Sequence, residues 1–152
     1  MRIFPDIDSF RAVVGEEIAV SEWLVVDQVM IDAFAEATGD FQWIHVDVAR
    51  AAASPMGHTI AHGFLTLSLI AGLSSETWRI DKLKHRLNYG LNKVRFPTPV
   101  PSGSRVRARF KLVSLEDDPP GVKMILQSTV ELEGAAKPAC VAEQIGLLFP
   151  AD

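Results

Sequence analysis

Residues 63–78 constrain the fold more than any other stretch: Phe64, Leu65, Leu67, Leu69, Ile70, Ala71 and Leu73 follow one another with few polar breaks. Their spacing predicts a helix that is apolar nearly all round, and such a helix has to be buried on every side. It is too short to span a bilayer, which takes roughly 20 residues. Some other part of the chain must therefore wrap it. In the second half, Val106, Ala108, Phe110 and Leu112 alternate with Arg105, Arg107, Arg109 and Lys111. After an Asp117-Asp118-Pro119-Pro120-Gly121 turn, Met124, Leu126, Val130 and Leu132 alternate with Lys123, Gln127, Thr129 and Glu131. A period of two is that of half-buried strands, and the turn between them predicts an antiparallel hairpin with Glu131 and Glu133 facing the arginine row. Strand-like runs at 85–96 and 139–149 bring the expected strands to at least four. The fold class is α+β, a curved antiparallel sheet around one central helix.

The first half reads as mostly helical. After a short strand-like segment at 23–26, Asp27 can cap a helix whose Met30, Ala33, Phe34 and Ala37 share one face, and Gly39 ends it. A second short helix is expected through the alanines at 49–53, broken by Ser54-Pro55-Met56-Gly57. With 152 residues, 48% of them hydrophobic, and no repeat or long linker, residues 1–152 are expected to form one domain. A net charge of −4 offers no general basic field, which argues against nucleic acid or an anionic membrane as the main partner. Cys140 is the lone cysteine, so neither an intramolecular disulfide nor a Cys-only metal site is available, and a reducing compartment, the cytoplasm, is expected. The first ten residues lack the long apolar run of a secretory signal or membrane anchor.

Chemistry is concentrated in Thr38-Gly39-Asp40-Phe41-Gln42-Trp43-Ile44-His45, a carboxylate and an imidazole five residues apart beside large apolar side chains. Addition of water to a carbon–carbon double bond needs one group to take a proton from water and another to deliver a proton to the adjacent carbon. Asp40 and His45 can share those tasks if a loop after Gly39 turns both toward one point. The plain alternative is a helix-terminal Asp40 and an ordinary hydrogen-bonded His45. Gly63 opens the apolar helix, where unpaired backbone N–H groups favour an oxyanion; Gly63 could equally serve close packing. Asp40, His45, His58 and His62 form a nominal set of metal ligands. Breaks at Pro55 and Gly57 oppose helical presentation of that set, and no metal is expected. Ser68 and Ser74 lack a nucleophile-elbow setting, and Cys140 lies in an expected strand as a small apolar residue.

The run from Ala35 through Asp40 to His45, followed by Ile60-Ala61-His62-Gly63, resembles the MaoC-like (R)-specific enoyl-CoA hydratases. Their signature sets an Asp and a His five apart in a Gly-Asp-x-Asn-Pro-x-His pattern, with a His-Gly pair opening the central helix. Asn88-Tyr89-Gly90-Leu91-Asn92-Lys93-Val94-Arg95-Phe96 and residues 140–143 extend the likeness, which is nearest the nodulation-protein-N-like branch; Gln42-Trp43 replace the usual Asn-Pro. The resemblance implies a hot-dog fold and a homodimer whose sheets join edge to edge. It also implies an acyl-CoA substrate with no other cofactor, Asp40 and His45 as catalytic residues, and Gly63 as the thioester-binding amide. Trp43 and Phe64 are candidates for the acyl pocket. Lys93 and Arg95 are candidates for the CoA phosphates, or else a solvated strand face. A hot-dog thioesterase and a silent acyl-binding subunit are the rival readings.

Overall fold

A computed structural model describes residues 1–151. In chain order its elements are β1 (Arg2–Phe4), α1 (Ile7–Arg11), β2 (Glu17–Val20), β3 (Leu24–Val26), α2 (Gln28–Thr38), α3 (Trp43–Val46), α4 (Val48–Ala53), α5 (Gly63–Ser75), β4 (Trp78–Ile80), β5 (Leu83–Arg95), β6 (Ser104–Asp118), β7 (Gly121–Leu132) and β8 (Cys140–Pro150). The six-stranded sheet has the order β2-β6-β7-β8-β5, with β3 also paired to β6, and every pairing in it is antiparallel. One face of the sheet packs on α5, giving the hot-dog arrangement of a helix held in a curved sheet.

The period of two decides which strand side chains form the core. Val106, Ala108, Phe110 and Leu112 on β6 are fully buried, as is Val130 on β7, with Met124, Leu126 and Leu132 nearly so. A register shift between Leu112 and Ser114 then returns Leu115 to the buried face. On the opposite face the charged ladder forms as the spacing requires. Arg105 pairs with Glu133, and Arg107 and Arg109 both reach Glu131, at 2.5 and 2.7 Å. Such partly exposed pairs stabilise by roughly 0 to 1 kcal/mol each and chiefly hold register.

Three expectations change in the structure. Helix α2 is capped by Asp27, which accepts from the Met30 N–H, and ends at Gly39 with φ 75°, a left-handed conformation that favours glycine. Its deepest contacts, however, are Ile31 and Ala35, with Met30 and Phe34 flanking them, while Ala33 and Ala37 are exposed. Helix α5 stops at Ser75, and Trp78 opens β4, which pairs in parallel with β1. Nor is α5 buried on every side of a single chain. Leu65, Thr66, Ile70, Leu73 and Ser74 face the core, whereas Phe64 is 68% exposed and Ser68, Ala71 and Gly72 are open. Edge strand β5 is exposed along most of its length beside that open face. Among the described residues no helix is long and apolar enough to cross a membrane.

Candidate active site

The loop at 40–42 and the single turn of α3 follow directly from the glycine stop of α2. Thr38 Oγ1 accepts from the Asp40 N–H at 3.4 Å, and the Asp40 carboxylate accepts from the Gln42 N–H at 3.4 Å, so the loop folds back on itself. Helix α3 then presents His45 inward, 6% exposed. Its Nδ1 lies 2.7 Å from the Ile60 carbonyl oxygen. A carbonyl only accepts, so Nδ1 carries the proton, and the neutral ring keeps its Nε2 lone pair free. The His45 backbone is held as well: Gln28 Nε2 donates to its carbonyl at 2.7 Å, while Gln28 Oε1 accepts from Thr59 Oγ1 at 2.5 Å. Ile60 N–H donates to the Ile44 carbonyl at 3.0 Å, which joins α3 to the segment leading into α5.

His62, the residue before α5, is the part of the site that local spacing did not assign a role. Its ring stacks on His45, with centroids 3.8 Å apart and planes at 26°, and it leans on Phe34 at 5.0 Å. Nε2 donates to the backbone carbonyl of Asp40 at 2.9 Å. That fixes the tautomer and leaves Nδ1 as a buried acceptor without a partner. The His-Gly pair was the available signal, but nothing in the sequence spacing shows an imidazole stack between residues seventeen apart.

One polar side-chain atom from each of Asp40, His45 and His62 lies within 4.8 Å of the other two; His58 is not in the group. A tetrahedral metal needs ligand lone pairs converging at about 2.0 to 2.1 Å. Two imidazoles stacked nearly face to face direct their lone pairs in almost parallel planes, so the group fits a shared hydrogen-bonded water better than an ion. Asp40 itself is exposed in the single chain.

A cavity of about 250 Å³ opens beside His45, lined also by Gly63, Thr66, Phe96 and Val100. As the first residues of α5, Gly63, Phe64 and Leu65 have no intrahelical acceptor for their N–H groups, and the helix dipole favours negative charge there. Gly63 also meets Phe96 closely, since a Cβ built on it would lie 3.1 Å from that ring. Both readings of this glycine therefore have a structural basis. Phe64 meets Phe96 edge-on at 6.2 Å and is not among the residues that line the cavity. Trp43 is not among the lining residues; it lies under the Arg50 guanidinium, 4.2 Å from the ring centroid. Lys93 and Arg95 are exposed on β5 outside the cavity, and Arg95 Nη1 donates to the Val94 carbonyl at 2.7 Å. Cys140 is buried, and burial pushes its thiol pKa up to about 11, which makes it a poor nucleophile.

Known proteins resemble the chain in sequence and in fold. Residues 9–132 match the family model described as MaoC like domain. The chain is 53% identical over 146 residues to 3-hydroxyacyl-thioester dehydratase Z of Mycobacterium tuberculosis, covering 95% of this chain and 97% of that protein. It is 47% identical over 140 residues to Nodulation protein N of Rhizobium leguminosarum bv. viciae, covering 89% of this chain and 86% of that protein. Among solved structures, the (R)-hydratase from A. caviae involved in PHA biosynthesis superposes with a TM-score of 0.70 at 27% identity, covering 88% of this chain and 94% of that one.

Proposed function

This chain belongs to the MaoC-like dehydratase family, and from that premise we propose that it adds water to trans-2-enoyl thioesters to give (R)-3-hydroxyacyl thioesters and catalyses the reverse dehydration. The observation that carries the reading is the placement of the Asp40 carboxylate and the His45 imidazole within 4.8 Å beside the first turn of α5. One water spans that gap with two ordinary hydrogen bonds. The pair removes one proton from the water as its oxygen bonds to the β-carbon, and one proton is returned to the α-carbon, leaving the enzyme unchanged. The thioester oxygen, which gains charge as the double bond is attacked, is received by the Gly63 N–H at the positive end of α5. No metal or redox group is invoked. The names of the mycobacterial dehydratase and the A. caviae hydratase support a lyase acting on acyl thioesters.

The working unit is read as a homodimer. Leu87, Tyr89 and Leu91 on edge strand β5 are 49%, 69% and 43% exposed, and the open face of α5 lies beside them. An unpaired edge next to an uncovered apolar face suits a second copy of the same chain. Lys93 and Arg95 on the same strand are the cations offered to the phosphates of CoA.

Loss of enoyl absorbance on a trans-2-enoyl-CoA, read against free thiol release, tests the reaction and separates it from thioester hydrolysis. Asp40→Asn keeps shape while removing a proton acceptor, and turnover should fall about 10²-fold or more with little change in melting temperature. His45→Gln should match it, and the double variant should be only slightly worse than either. If both single variants fold and retain more than about a third of the activity, well above an acid–base loss, the mechanism fails.

A further inference from the structure

Helix α3 is a single turn of four residues, too short to hold its own shape, and its last carbonyls have no partner inside the helix. Two of them are answered from outside. The Ile44 carbonyl accepts from the Ile60 N–H at 3.0 Å, and the His45 carbonyl accepts from Gln28 Nε2 at 2.7 Å. Gln28 is the first residue of α2, half-buried, and lies outside the polar segment that carries Asp40 and His45.

Both N–H bonds and the oxygen of the Gln28 amide are engaged. The nitrogen faces two groups that only accept, the His45 carbonyl and, one turn along α2 at 2.8 Å, the Asp32 carboxylate, so that end is the NH2. The oxygen meets the Thr59 hydroxyl, which donates at 2.5 Å on a residue only 3% exposed. Thr59 adjoins Ile60, whose carbonyl receives the His45 Nδ1–H at 2.7 Å. One amide therefore grips the backbone of the residue that gives this hydrogen bond and the neighbour of the residue that takes it. Releasing either arm frees α3 to part from the 59–60 segment, and the bond that keeps the proton on Nδ1 opens with it.

We propose that Gln28 is a positioning residue for hydration: by holding α3 and Thr59 at a fixed separation it keeps His45 in the Nδ1–H tautomer, with Nε2 free as an acceptor. The proposal rests on the hydratase reading and deepens it. With the proton on Nε2 instead, the ring donates to the spanning water where it has to accept from it, and that nitrogen can take no proton. Neither Gln28 nor Thr59 lines the cavity at His45, so loss of the clamp should act on kcat and leave KM.

Imidazole nitrogen NMR on protein with isotope-labelled histidine tests this, the His45 signals being assigned by their absence from His45→Gln. In the wild type His45 should carry its proton on Nδ1. In Gln28→Met, which keeps the length of the side chain without its polar groups, the Nε2–H form should appear. There kcat for a trans-2-enoyl-CoA should fall at least tenfold with KM little changed, the scale of a reacting group misplaced by part of an ångström, since 1 Å costs about 10²-fold. Thr59→Val removes one arm and should show both changes more weakly; Thr59→Ser, which restores the hydroxyl, should undo them. That pair decides the matter if Gln28→Met does not fold. A staple with no part in the reaction predicts a lower melting temperature with tautomer and kcat unchanged, and that result would overturn the proposal. So would a fall in kcat with the Nδ1–H form intact, because His45 is then held without Gln28. A changed tautomer at wild-type kcat would overturn it through the acid–base role of His45, and a wild type that hydrates no trans-2-enoyl-CoA would overturn the hydratase reading itself.

Discussion

The most informative single substitution is His62→Phe. Phenylalanine keeps a ring of similar size between His45 and Phe34, so the stack at 3.8 Å and the core contact at 5.0 Å can both persist. Two polar terms change in opposite directions. The hydrogen bond from Nε2 to the Asp40 carbonyl is lost, worth about 0.5 to 1.5 kcal/mol. The buried, unpartnered Nδ1 acceptor also disappears, relieving about 1 to 3 kcal/mol of desolvation. Since Asp40 is exposed, water can serve its carbonyl in the variant. Net stability should therefore lie from about 0.5 kcal/mol below to about 2.5 kcal/mol above wild type, at roughly 2 to 4 °C of melting temperature per kcal/mol for a chain of this size. Catalysis should respond differently. Among the described residues the loop carrying the Asp40 carboxylate loses its only side-chain tether to the start of α5, and on the proposed mechanism a misplacement of about 1 Å at a reacting group lowers turnover by about 10²-fold. The assay is enoyl absorbance loss together with calorimetry: kcat is expected to fall at least tenfold with KM little changed and folding intact. A folded variant with wild-type kcat would refute the positioning role and leave His62 a core residue.

Gly63→Ala places a methyl 3.1 Å from the Phe96 ring, and because that ring is 40% exposed and can swing outward, the destabilisation should be near the low end of overpacking, about 1 kcal/mol by chemical denaturation. Adding Phe96→Ala should restore stability; turnover restored in parallel would mean that Gly63 serves packing, and stability restored without turnover supports the thioester site. Tyr89→Asp puts a charge in the middle of exposed edge strand β5, and sedimentation should show a dimeric wild type becoming monomeric. A dimer that survives the change would move the interface away from β5.

Parts of this fold could be read locally and parts could not. The faces of β6 and β7, the Asp27 cap and the Gly39 stop depend on residues a few positions apart, and their spacing suffices. The rotation of α2 toward Ile31 and Ala35 depends on what lies beneath it, and alanines at 33 and 37 are small enough to sit on either side. Strands β1 and β4 are three residues each and pair across more than seventy positions, too short to display a period and too distant to be tied by a turn. The same distinction holds at the site. Asp40 and His45 stand out because both lie in one polar segment. Gln28 and the Ile60 carbonyl, which hold His45 in its tautomer and orientation, come from separate elements and have no signature of their own.

The stacked histidines also limit how much charge the site can hold. With ring centroids 3.8 Å apart and both side chains nearly excluded from solvent, charging the two rings together costs about 4 kcal/mol at an effective dielectric near 20. Each ring already donates one N–H to a backbone carbonyl, so each gains its charge only by protonating the remaining nitrogen: Nε2 of His45 or Nδ1 of His62. Only the first of these belongs to a residue that lines the cavity beside Gly63. In the proposed reaction the proton taken from water is held on the Asp40 carboxylate or on His45 Nε2. His62 keeps its Nε2–H bond to the Asp40 carbonyl, and so in that reaction a ring that does not touch the water would position the group that does. On this account His62→Phe, which cannot be charged, should lower the rate without adding or removing a limb in the pH profile of kcat. A new or missing ionisation in that profile would mean that His62 exchanges protons during turnover.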